Sequence, residues 1–73
     1  MKYFIVESTL VGESLANAVT VKDTYAEARM VYHQVRASQL ANSDVQYGSC
    51  IIYDGTMRPM EREYHGKFPG DPR

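Results

Sequence analysis

The chain has 73 residues, with eight Lys and Arg against nine Asp and Glu, one cysteine and no Trp. A balance this near neutrality argues against a general nucleic-acid binder, which needs a basic stripe to displace condensed counterions, and against an acidic DNA mimic. A lone Cys50 excludes an internal disulfide, and the Cys/His set is too sparse for structural zinc.

Length predicts one small domain, residues 1–65, followed by a flexible tail, 66–73. A chain this short buries only about 60% of its unfolded surface. Roughly a dozen buried apolar side chains at about 1.5–3 kcal/mol each do not comfortably offset about 1.5 kcal/mol of ordering entropy per residue, which makes a homo-oligomer the expected remedy. MKYFIVEST has too short an apolar run for a signal peptide, and no segment is long enough to span a membrane. With a free thiol, these features make the cytoplasm the expected location.

In chain order, Lys2 to Ser8 is a nearly continuous apolar run, read as a central strand whose two faces, Tyr3/Ile5 and Phe4/Val6, are both greasy. Gly12 is the expected pivot of the turn. Leu15 to Lys22 alternates as a half-buried strand, and the short link predicts an antiparallel hairpin. Thr24 to Asn42 is the strongest element, a helix of about five turns, opened by a Thr24/Glu27 capping box and closed by Asn42, a residue that tolerates a left-handed cap. Val45 to Tyr53 reads as a strand, with Gly48 marking a bulge or a close backbone approach. Asp54-Gly55 signals a hairpin, since both residues accept positive φ. Met57 to Tyr64 returns as an edge strand, or as one that begins after Pro59, since Pro59 lacks an N–H. From His65 on, Gly and Pro leave no regular structure, and Phe68 is the only large apolar residue. The predicted class is α+β: ββαββ, a four-stranded, mainly antiparallel sheet with one helix on a face.

The helix sorts into three faces. Ala28, Val31, Tyr32 and Val35, with Tyr25 at the edge, are assigned to the sheet. Ala26, Met30, Ala37 and Ala41 lie opposite, as good helix formers or as an oligomer interface. Arg29, His33 and Arg36 share a third direction, readable as a solvated face or as an anion cradle. One helix cannot cover both faces of the sheet, so an assembly through the open face, the Ala/Met stripe, or both is expected.

No catalytic constellation is legible. Cys50 sits in an apolar strand, with neither His33 nor His65 spaced to serve it as a base. Glu61, Glu63 and His65 line one face of the last strand, a pattern that occasionally binds metal and more often is solvated charge. We therefore expect a non-enzymatic protein with no metal or cofactor.

The segments YFIVE, ANAVTVKDTYAEA, VYHQVRASQLAN and VQYGSCIIYDGT, covering residues 3 to 56, resemble a group of short proteins of phages and mobile elements of Firmicutes. The most specific part is YHQ-x-x-AS-x-x-AN, Tyr32 to Asn42. The resemblance implies a small accessory protein in a bacterial host cell and carries no catalytic residues with it. It stops at Met57. The expectation it supports is an oligomeric counter-defence binding protein, which occludes a host defence protein or sequesters a nucleotide signal. Arg29, His33, Arg36, Tyr47, Arg58, Arg62 and Tyr64 would be the anion and stacking groups. The alternative is a structural or regulatory protein–protein module without a small ligand.

Overall fold

The computed structural model describes residues 1–67. It contains β1 (Tyr3–Val11), β2 (Ser14–Lys22), α1 (Tyr25–Ala41), β3 (Val45–Tyr53) and β4 (Pro59–Gly66). All pairings are antiparallel and the strand order is β2-β1-β3-β4, so the predicted ββαββ class is the one observed. Both β2 and β3 pair with β1, so they run parallel to each other, and α1 returns the chain between them. The lengths match: seventeen helical residues rise about 26 Å, and nine strand residues about 30 Å.

The first hairpin closes from Val11 to Ser14 around Gly12, whose φ of 62° is the expected pivot. β1 runs three residues beyond the predicted Ser8, because Thr9, Leu10 and Val11 keep pairing with Ala16, Leu15 and Ser14. The second hairpin differs from expectation. Gly55 is not left-handed; the positive φ falls on Met57 (64°). The Asp54 carboxylate organises this longer loop, accepting hydrogen bonds from the N–H and hydroxyl of Thr56 and from the N–H of Arg58. The Thr56 hydroxyl bond is the first cause that holds the Asp54 carboxyl below its ordinary value.

Thr24 caps α1 from an extended conformation. Its hydroxyl accepts from the Glu27 N–H (3.2 Å) and donates to the Glu27 carboxylate (3.0 Å). The C-terminal end corrects the sequence reading: Asn42 is extended (φ −94°), not left-handed. Its side chain accepts from the Asp44 N–H and its carbonyl from the Val45 N–H, which turns the chain directly into β3.

The helix-covered face of the sheet carries Ile5 and Ile52, cross-strand partners, with Cys50. Ala28 and Tyr32 close over them, flanked by half-buried Tyr3, Tyr25, Val31 and Val35. Six hydrophobic residues are fully buried among the described residues, about half of what composition suggested. The reason is architectural. Among the described residues nothing is layered over the second face of the sheet, and the C-terminal half of the helix meets the sheet through polar groups. His65 and Gly66 continue β4, which corrects the expectation of no regular structure from His65 on. Phe68 lies outside the described residues.

Candidate functional site

Strand alternation decides where the titratable residues go. On β4, Glu61, Glu63 and His65 pair with Ile52, Cys50 and Gly48, and so face the helix. On α1, Tyr25, Arg29 and Arg36 lean towards the same strand. The two rows suspected in the sequence, one basic and one acidic, therefore meet each other. Glu61 accepts from the Tyr25 hydroxyl (2.6 Å) and pairs with the Arg29 Nε (3.1 Å). The Tyr25 bond is the main cause that raises its phenol pKa above the ordinary value. Glu63 pairs with the Arg36 Nε (3.1 Å).

Arg36 is the correction that matters most. It is not a surface group beside Arg29 and His33 but is 5% exposed. Its Nη1 donates to the Gln39 Oε1 (2.7 Å), the Gly48 carbonyl (3.1 Å) and the His65 Nδ1 (3.1 Å). Arg has no acceptor, so in this contact the His65 Nδ1 accepts. Gln39, also buried, donates its amide to the Ser8 and Ser49 carbonyls and to the Thr9 hydroxyl, and so ties α1 to both central strands. Every buried side-chain N and O among the described residues has a partner. Gly48 makes the room: a Cβ there would lie 2.8 Å from the His65 ring and 3.0 Å from the Gln39 amide carbon. Gly48 thus marks a close approach rather than a bulge; the register shifts occur at Leu10/Val11 and Ile52/Tyr53.

Arg29 remains partly exposed and lies 3.4 Å from the exposed His33. The proposed cradle is consequently reduced, since both of its guanidiniums are engaged by carboxylates. Among the described residues no group of His, Cys, Asp or Glu is arranged to hold a metal ion. Burial, followed by the charge of its cross-strand neighbour Glu7, pushes the Cys50 thiol up to about 11.

The other ligand residues lie elsewhere. Tyr47, Arg62 and Tyr64 occupy the opposite, open face, where the rings of Tyr47 and Tyr64 stack with centroids 6.2 Å apart. With Ser49, Ile51 and Glu63 they line a shallow cavity of about 280 Å³. Arg58 sits in the β3–β4 loop, on the order of 20 Å from Tyr64 along a strand rising about 3.3 Å per residue. The seven residues therefore form not one site but three separate locations, because alternation sends neighbouring β4 residues to opposite faces.

By the same alternation, the open face carries Phe4, Val6, Val19, Val21, Ile51 and Tyr53 in cross-strand register. Val19 is 60% exposed and Tyr64 59%. The helix stripe Ala26, Met30, Ala37 and Ala41 is likewise exposed, joined by Leu40. Gln39 was missed in the sequence although its position was legible. It lies seven residues from Tyr32 and eleven from Ala28, on the sheet-facing stripe, and only its polarity concealed it. No helix of the described residues is long and apolar enough to cross a membrane. Compared with family models, curated proteins and solved structures, the chain matches none.

Proposed function

We propose that this chain is a small non-catalytic binding protein that covers a protein partner with the open face of its sheet. One observation carries the reading: a sheet with one layer of helix leaves an apolar face in water. Contiguous exposed apolar surface of this kind marks interaction sites. The state of the titratable side chains supports a non-catalytic role. Arg29, Arg36, Glu61 and Glu63 are bound to one another, and a buried thiol with a raised pKa is a poor nucleophile. The resemblance in Tyr32 to Asn42 makes a bacterial defence protein, met by a phage or mobile element, the first partner to test.

The test uses the tagged chain expressed in a bacterial host carrying a defence system, with Val6→Glu and Ile51→Glu as variants. The reading expects the wild type to retain one protein at fixed stoichiometry and to protect phage growth, and both variants, folded by circular dichroism, to lose both properties. Equal capture by all three rejects the open face.

A second reading, sequestration of a nucleotide signal, is favoured by the stacked Tyr47 and Tyr64 beside Arg62, since aromatic faces and a guanidinium suit a planar anion. Titration calorimetry with cyclic and linear nucleotides tests it. Tyr64→Ala and Arg62→Ala should each weaken binding at least tenfold, and unchanged affinity removes the site.

A further inference from the structure

The two edges of the sheet are guarded very differently. β4 carries Pro59, a register shift opposite it, and Glu61, Arg62 and Glu63, the usual devices against edge-to-edge pairing. β2 carries no Pro and no register shift, and its one charge is Lys22 at its last residue. From Ser14 to Val21 it has no charge, no Pro and no Gly, and seven of the nine strand residues are exposed, with Thr20 and Lys22 half-buried. The first hairpin closes with Val11 opposite Ser14. In an antiparallel ladder hydrogen-bonded and non-hydrogen-bonded pairs alternate. A two-residue turn closes on a hydrogen-bonded pair, so Ala16, Ala18, Thr20 and Lys22 bond to β1. Leu15, Asn17, Val19 and Val21 present their N–H and C=O groups outward.

We infer that β2 pairs antiparallel with the β2 of a second copy, about a two-fold axis through Ala18. The occupant is a second copy because β2 is complementary to itself. In this register the outward-bonding residues meet one another: Leu15 opposite Val21, and Asn17 opposite Val19. All nine strand residues are paired. Ala16, Ala18 and Thr20 on the helix side are small, so the axis is not crowded. The single charge, Lys22, arrives opposite Ser14 and next to Glu13 of the second copy, at both ends of the interface, so cation meets anion rather than cation. The axis stands perpendicular to the sheet. Both helices then lie on one side and the two open faces side by side on the other, still free. The inference is independent of the open-face reading.

Sedimentation equilibrium of the full chain tests it, with Ala18→Lys and Ala18→Glu as variants. Ala18 directly opposes itself across the axis, and like charges so placed are destabilising. The wild type is expected at about twice the 8.3 kDa chain mass. Each variant alone should dissociate at least tenfold more readily, and an equimolar mixture of the two should return to dimer. Recovery in the mixture also establishes that both variants are folded. A monomeric wild type, a single variant that stays as dimeric as the wild type, or a mixture that stays monomeric overturns the inference.

Discussion

The two halves of the helix–sheet interface are built differently. Beneath the N-terminal half of α1, contact is made by packing: Ala28 and Tyr32 on Ile5, Cys50 and Ile52. Beneath the C-terminal half it is made by hydrogen bonds, with Arg36 and Gln39 inserted between α1 and the strands. Packing tolerates exchange of apolar groups of similar volume. A buried polar cluster does not, because each donor removed leaves an acceptor unpaired in a medium of low dielectric. The small apolar half thus supplies much of the stability, and the polar half sets the position of the helix along β1 and β3.

The expected outcomes follow this division, from the largest effect to the smallest. Ile52→Ala, at a fully buried position, should lower stability by about 3–4 kcal/mol in urea unfolding, as deletions in well-packed cores do; a loss under about 1 kcal/mol would show that the apolar half is loosely packed. Cys50 in the same half should react with iodoacetamide at pH 8 on the order of a hundredfold more slowly folded than unfolded, since the thiolate is the reactive form. The folded-state pKa of about 11 lies above the ordinary 9.0. The contribution of the protonated thiol is therefore complete below pH 9 and is lost as the pH rises from 9 towards 11.

In the polar half, Arg36→Ala leaves the Gln39 Oε1 and the Gly48 carbonyl without this donor, and should reduce stability by about 2 kcal/mol. A double-mutant cycle with Gln39→Ala sharpens the contrast. Residues in one network couple by about 0.5–3 kcal/mol, whereas Arg36 and Ile52 should combine additively; additivity within the Arg36/Gln39 pair would break the distinction. Gly48→Ala should cost about 1–2 kcal/mol, because the His65 ring and the Gln39 amide must both shift. Thr24→Ala, outside both halves, should cost about 1 kcal/mol through loss of the cap, measured as a lower urea midpoint at unchanged slope.

Much of the fold was legible in the residues. Alternation in Val45 to Tyr53 placed Cys50 and Ile52 on one face and Tyr47, Ile51 and Tyr53 on the other, as in β3. The Thr24/Glu27 box marked the helix start, and Pro59 marked an edge strand. Boundaries set by tertiary pairing were less visible. Thr9 to Val11 and His65 to Gly66 extend their strands because a neighbour is there to pair with, although turn-prone composition argued otherwise. The candidate site was the least legible part. Arg29, His33 and Arg36 do share a direction on the helix, but what lies in that direction is β4, and its acidic row was noted without being connected to them.

Local periodicity, turn chemistry and capping are properties of neighbouring residues, so the sequence by itself determined the element order, the class and the apolar part of the sheet-facing stripe of α1, but not the places of Arg36 and Gln39 on it. The environment of a charge depends on residues far along the chain. Glu63 lies 27 positions from Arg36 and His65 lies 29. Only the tertiary structure decided that these groups satisfy one another, that Tyr47 and Tyr64 stack on the far side of the sheet, and that β2 is, among the described residues, the edge left bare.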